Sequence, residues 1–313
     1  MDSQTPASDG RGTRTDAAPP VGRHYEVGDR RLMLHRSGTG RPAVVFLPGA
    51  GLVGVEFLNV QDEASRFTTS VLYDRGGTGW SDPVVLPRSA TAAADELRQV
   101  LRAAGVPGPY LLAGHSMGAL YARRYAQLFP DEVAGLLLLD PGHEDMFDYL
   151  PKQLAELNEQ HKPDPDQMPD LTDEQRQAAR SALAQLYANW PPAILEPLIE
   201  HRLLAWRTGL REAANLESEV YPELRSGGPL PDVPLIVLTA GGPNPYLAKV
   251  LTPELLREAA QGISALHRSV ARSVPRGEHR VLDDATHQSL HVEHPEAVIQ
   301  AIRDLLDRIS ARP

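Results

Sequence analysis

Short apolar runs alternate along this chain with longer stretches whose apolar positions recur every three or four residues. The runs at Arg31–Arg36, Ala43–Leu47, Ser70–Tyr73, Tyr110–Ala113, Val133–Leu139, Leu235–Thr239 and Arg280–Leu282 predict strands, with His24–Val27 as a further edge strand. Several are continuously apolar, such as Leu136 to Leu139, which is the pattern of a strand covered by helices on both faces. Between them the period is helical. Leu97, Val100, Leu101 and Ala104 share one face of a helix that Gly105 stops. A second helix ends at Phe129-Pro130. A last one opens at His294-Pro295 and carries a stripe of Val298, Ala301, Ile302, Leu305 and Leu306. Strands alternating with amphipathic helices predict an α/β protein with a doubly wound, mostly parallel sheet.

The alternation breaks between residues 142 and 230. This span has no β-rich run and reads as several amphipathic helices joined by a polar, Pro-containing connector from His161 to Leu171. Leu183, Leu186, Tyr187 and Trp190 form one apolar face, and Ile194, Leu195, Leu198 and Ile199 another. A helical insert between two core strands predicts a cap over the C-terminal edge of the sheet. The chain then divides into a tail (1–20), a first core part (21–141), the cap (142–230) and a second core part (231–313).

Composition narrows the partners. At 313 residues the chain has room for one large domain with an insert. A net charge of −10 and the absence of a Lys/Arg stripe argue against nucleic acid and anionic membranes. With no cysteine, disulfides, thiol nucleophiles and cysteine metal sites are excluded, and the redox compartment stays open. Residues 1–20 are rich in Ser, Thr, Asp, Gly and Pro and lack an apolar segment, so they read as a disordered tail rather than a secretory signal. No stretch is long and apolar enough for a membrane span, which makes the cytoplasm the default expectation. Oligomeric state is not legible.

Candidate chemistry begins at Gly114-His115-Ser116-Met117-Gly118, where an apolar strand meets a helical pattern. With 25 glycines in 313 residues, chance alone yields such a pentapeptide in roughly one in ten proteins of this length. The strand before and the helix after make it specific. A serine on so sharp a turn projects its hydroxyl above the sheet, and glycines two residues either side relieve the crowding. The helix that follows aims its first amide, that of Met117, at a developing oxyanion. A serine nucleophile also needs an imidazole base. Of the 11 histidines, His287 lies in the loop after the final strand, whereas His291 and His294 fall in or at the start of the closing helix. His115, within the elbow, is expected to pack.

Three further segments accompany the elbow: Phe46-Leu47-Pro48-Gly49-Ala50-Gly51, Tyr73-Asp74-Arg75-Gly76-Gly77-Thr78-Gly79-Trp80-Ser81-Asp82, and Asp284-Ala285-Thr286-His287. Their order and spacing resemble the α/β-hydrolase fold superfamily, of the capped serine esterase and lipase type, over about residues 22–311. The resemblance implies a catalytic set of Ser116, His287 and an acid. Relatives usually carry that acid after the penultimate core strand, but the segment Leu235–Asn244 contains no carboxylate. Others carry it at the end of the strand after the nucleophile helix, where this chain has Leu139-Asp140-Pro141. Asp140 keeps the order Ser, Asp, His and sits at a strand's C-terminal edge; Asp283, Asp284 and Glu144 are the alternatives. The resemblance places the oxyanion hole at the amides of Met117 and Ala50, with Gly51 as fallback because Pro48-Gly49 stands where many relatives have His-Gly. It gives the segment around Asp74 and Arg75 a structural role beneath the site.

No G-x-G-x-x-G or P-loop opens the first unit, and His143, Glu144 and Asp145 are too closely spaced for a convincing metal site, so neither cofactor nor metal is expected. These readings point to hydrolysis of a carboxylic ester or lactone of a small-to-medium substrate, taken as apolar from the Leu, Tyr and Trp content of the cap. Epoxide hydrolases and haloalkane dehalogenases of this fold need a carboxylate where Ser116 stands. Amidases and C–C bond hydrolases use the same residues, and a non-catalytic ligand-binding protein on this scaffold is the remaining reading.

Overall fold

The computed structural model describes residues 18–160, 164–243, 247–249 and 251–311. Residues 1–17 of the expected tail, and His161 to Pro163 of the expected connector, lie outside them. Eight strands form one sheet in the order β1-β2-β4-β3-β5-β6-β7-β8. They are β1 (Arg23–Val27), β2 (Arg30–Ser37), β3 (Ala43–Leu47), β4 (Ser70–Tyr73), β5 (Tyr110–His115), β6 (Val133–Leu139), β7 (Leu235–Ala240) and β8 (Gly277–Leu282). Only β2 runs against its neighbours; the pairs from β4 to β8 are parallel. The protein is therefore α/β with the expected doubly wound sheet. Several strands are longer than their apolar runs imply, β5 and β8 among them. β5 continues through Gly114 and His115 to the elbow, and β8 begins at Gly277, where partly buried polar residues of an edge strand mask the pattern.

The helices are α1 (Leu58–Ala64), α2 (Ala90–Ala103), α3 (Met117–Leu128), α4 (Met146–Tyr149), α5 (Lys152–Gln160), α6 (Asp173–Leu186), α7 (Pro192–Leu204), α8 (Thr208–Ala213), α9 (Tyr221–Ser226), α10 (Pro253–Ala271), α11 (Leu290–Glu293) and α12 (Pro295–Ser310). Local chemistry sets several boundaries. The Ser89 hydroxyl accepts from the Ala92 amide to start α2, and Gly105 takes a left-handed φ of +61° just beyond its end. Thr172 and Gln175 form a reciprocal cap on α6, and Thr252 caps α10.

Alternate strand residues feed two cores, one on each face of the sheet. Val45, Leu112, Leu136, Leu138 and Val237 pack with Leu97 and Leu101 of α2, Tyr125 of α3 and Leu266 of α10. Val44, Phe46, Leu111, Leu137 and Ile236 pack with Val60 of α1 and Val298, Ile302 and Leu305 of α12. Burial on both faces explains the continuous apolar runs. Helices α4–α9 all fall between β6 and β7, where the alternation breaks. Among the described residues, no helix is long and apolar enough to cross a membrane.

The strand order reverses at β3, which has β4 on one side and β5 on the other. Such a reversal opens a crevice at the strands' C-terminal ends. The turn after β3 and the elbow after β5 both lie there.

Candidate active site

Ser116 has φ +51° and ψ −118°, a conformation costly for a residue with a Cβ. Its surroundings enforce it. A Cβ on Gly118 would stand 2.0 Å from the Leu47 carbonyl oxygen, and one on Gly114 would stand 2.6 Å from the Gly118 oxygen. Both glycines are therefore required by close backbone approach. The Ser116 amide donates to Leu139 O at 3.1 Å, and its carbonyl accepts from Gly142 at 3.0 Å, tying the elbow to the end of β6.

Three residues far apart in sequence meet at this rim. His287 Nε2 lies 3.0 Å from Ser116 Oγ, and His287 Nδ1 lies 2.5 Å from Asp140 Oδ2. With Nδ1–H donating to the carboxylate, Nε2 is left to accept the serine proton. Asp140 itself has φ +41°, and its other oxygen accepts from the Ala240 amide at 2.9 Å. Burial pushes its pKa up, but the hydrogen bond and charge of His287, helped by nearby His267 and the Ala240 amide, outweigh this and hold the carboxyl below its ordinary value. His287 is one-third exposed at the side chain (33%), so the imidazole is reachable from outside.

The alternative acids are elsewhere. Glu144 forms a buried two-pronged pair with Arg123 at 2.6 and 2.7 Å, while Asp283 and Asp284 are exposed. His143 belongs to the same polar cluster at the start of the insert, and no group of three or more metal-ligating side chains occurs among the described residues.

Two histidines pack behind His287, as expected for His115. The His115 ring is buried 5.1 Å from that of His287, and its Nε2–H donates to the His287 carbonyl at 2.7 Å. Burial, then the neighbouring His287, lowers its pKa to about 3. His291 stacks on Phe57 at 4.0 Å.

The turn after β3 abuts the elbow: a Cβ on Gly49 would lie 3.2 Å from Ser116 Cβ. Of the two amides expected as oxyanion donors on this turn, that of Gly51 is taken, donating to Glu212 Oε2 at 2.7 Å. Ala50 is the other, next to Gly49 on the turn that abuts Ser116. Arg75 is buried beneath, donating to Pro48 O at 2.6 Å and Gly49 O at 2.8 Å, which matches its expected structural role. Asp74 accepts from the Gly54 and Trp80 amides at 2.7 and 2.9 Å.

Sequence reasoning missed Glu212 and Arg202, which bond the amide and the carbonyl of Gly51, since charges on helices resemble a solvated face. It also missed His267, whose Nε2–H donates to Pro141 O at 3.0 Å and whose Nδ1 accepts from Thr239 Oγ1 at 2.8 Å. Nothing in the local sequence signals either. Tyr187 and Trp190 pack on the core as the expected apolar face, with Leu183 and Leu186 against the same cluster. The Tyr187 hydroxyl also bonds buried Glu56 and the Trp190 indole donates to Val55 O at 3.1 Å, so both dock the insert onto the core.

Comparison with known proteins agrees with this architecture. YqjL of Bacillus subtilis, described as uncharacterized, is 32% identical over 126 residues, 38% of this chain and 48% of that protein. The chain spans about half or less of the length of the first curated relatives it matches. Among solved structures, an esterase from Thermogutta terrifontis is similar with a TM-score of 0.58 at 21% identity, covering 91% of this chain and 97% of that one. A mutant of an epoxide hydrolase candidate from Pseudomonas aeruginosa reaches a TM-score of 0.67 at 20% identity, covering 98% and 99%. At these identities the likeness is one of fold. The sequence profile of the alpha/beta hydrolase family matches residues 44–301, and the chain belongs to that family.

Proposed function

We propose that the protein is a serine hydrolase that cleaves a carboxylic ester or lactone through an acyl-enzyme on Ser116. The observation that carries this reading is the hydrogen-bonded chain from Ser116 Oγ through His287 to Asp140. In this reading Ser116 Oγ attacks the carbonyl carbon while His287 Nε2 takes its proton. Asp140 keeps the imidazole in the required tautomer and stabilises the imidazolium. The Met117 and Ala50 amides hold the oxyanion of the tetrahedral intermediate. As it collapses, the alcohol leaves with the proton from His287. Water then repeats the sequence on the acyl-enzyme, returning Ser116 and releasing the acid.

Helices α4–α9 act in this proposal as the cap. A neutral, small-to-medium, largely apolar substrate suits the net charge of −10 better than a polyanion. The likeness to an esterase is one of scaffold, which is compatible with ester chemistry. The likeness to an epoxide hydrolase candidate concerns the scaffold, because Ser116 replaces the carboxylate that epoxide opening needs.

A fluorophosphonate probe tests the reading. Mass spectrometry should find the phosphonyl adduct on Ser116 in the wild type and none in Ser116→Ala. A p-nitrophenyl ester panel should be turned over faster than matching anilides or diketones. An unlabelled wild type that hydrolyses no ester refutes the proposal; faster anilide or diketone cleavage reassigns the bond.

A further inference from the structure

The turn that carries Ala50 is held by the inserted helices as well as by the core. Arg75 grips it from below, donating to the Pro48 and Gly49 carbonyls. Glu212 of α8 pairs with Arg75 through two bonds of 2.9 and 3.1 Å, and the same carboxylate accepts from the Gly51 amide at 2.7 Å. Arg202 of α7 donates to the Gly51 carbonyl at 2.7 Å. Backbone contact completes the grip. Gly51 has φ +67°, and a Cβ there would lie 2.9 Å from Gly209 Cα, while one on Gly209 would lie 3.1 Å from Ala50 O.

Peptide planarity turns these contacts into aim. The Gly49 carbonyl and the Ala50 N–H belong to one trans peptide unit and point in opposite directions. Fixing the oxygen on Arg75 therefore directs the Ala50 N–H away from Arg75. The next unit, Ala50 O with Gly51 N–H, is fixed by Glu212 in the same way. Both peptide planes flanking Ala50 are held by one buried ion pair, half of which comes from the insert, with the Leu52 amide adding a bond of 3.2 Å to the Gly49 carbonyl. Arg75 and Glu212 are 2% and 3% exposed at their side chains, so neither has water as a substitute partner. Burial opposes the charge on Arg75, and adjacent Glu212 more than offsets this, raising its pKa above the usual arginine range.

We propose that Glu212 is a positioning residue for the oxyanion hole, seconded by Arg202, so that the Ala50 donor is set only while α7 and α8 are docked. This rests on the serine-hydrolase reading above. An oxyanion contact forms in the transition state and in tetrahedral adducts, not with the bound ester. Disturbing its position should therefore lower kcat and leave KM alone. A purely structural pair would change stability without that division.

The test compares Glu212→Gln, Arg202→Met and Arg202→Lys with the wild type, using a p-nitrophenyl ester and a trifluoromethyl ketone, which forms a tetrahedral adduct on the serine. Deleting a whole oxyanion donor costs about 10²- to 10³-fold in kcat. For a displaced donor we expect about a 10- to 100-fold fall in Glu212→Gln, KM within about twofold, and ketone inhibition weakened by a similar factor. Arg202→Met should lose about 3- to 10-fold in both readouts, and Arg202→Lys, which still donates to Gly51 O, should recover most of it. Should Glu212→Gln fail to fold, the two Arg202 variants decide. Folded variants with unchanged kcat, or with lower kcat but undiminished ketone inhibition, overturn the positioning role alone. A wild type that neither turns over esters nor binds the ketone overturns both this proposal and the reading beneath it.

Discussion

Replacing Asp140 by Asn tests the proposed mechanism most sharply, because it removes charge while keeping shape. Asp140 sits at φ +41°, a region that Asn tolerates well, so the backbone has no reason to move. The Ala240 amide donates to one side-chain oxygen at 2.9 Å, which orients the Asn carbonyl toward Ala240 and its NH2 toward His287. His287 Nδ1, 2.5 Å from that position, must then accept rather than donate. The ring proton moves to Nε2, which faces Ser116 Oγ at 3.0 Å and no longer accepts its proton. The lost attraction between carboxylate and imidazolium adds to this, at about 4 kcal/mol for charges roughly 4 Å apart in an effective dielectric of about 20. Together these predict a fall in kcat of about 10⁴, or about 5.5 kcal/mol, the size measured for the same change in another serine hydrolase. Ester turnover under saturating substrate measures it, with circular dichroism confirming the fold. Asp284→Asn, at an exposed position, should stay within about twofold of wild type. Retention of more than a tenth of wild-type kcat by Asp140→Asn would refute the assigned role.

Two further expectations concern stability. Gly118→Ala puts a methyl 2.0 Å from the Leu47 carbonyl oxygen, with backbone on both sides, so it should cost more than about 3 kcal/mol in chemical denaturation or prevent folding; a cost below about 1 kcal/mol would show that the elbow is looser than the contacts indicate. Acid should destabilise the fold early: burial lowers the pKa of His115 to about 3, of His143 and His201 to about 4, and also depresses His267 and His291. These rings stay neutral in the fold but take up protons when unfolded. Their contribution is therefore intact above about pH 6.5 and shrinks as pH falls toward the folded values, by up to about 1.4 kcal/mol per pH unit for each ring. Urea midpoints that stay level between pH 6.5 and 5 would contradict this.

The layering and the elbow were legible in the chain's own pattern. Short, continuously apolar runs alternating with helical patterns fit a sheet covered on both faces, and Val44 and Val45 feed opposite cores. Gly114-x-Ser116-x-Gly118 is local chemistry, a turn too tight for Cβ atoms, and needs no partner to be read. The order of Asp140 and His287 along the chain could also be read, but not which acid reaches the imidazole. That depended on β6 and β8 lying on either side of β7, a register that no local pattern encodes. Only the tertiary structure shows that the Gly51 amide is bonded to Glu212, a carboxylate 161 positions away, which is why the proposal takes Ala50 as the donor. The same holds for the bonds by which Tyr187 and Trp190 dock the insert. Periodicity reports which face of an element avoids water. It says nothing of which buried polar atom finds which partner, since those partners are brought together only when the chain closes.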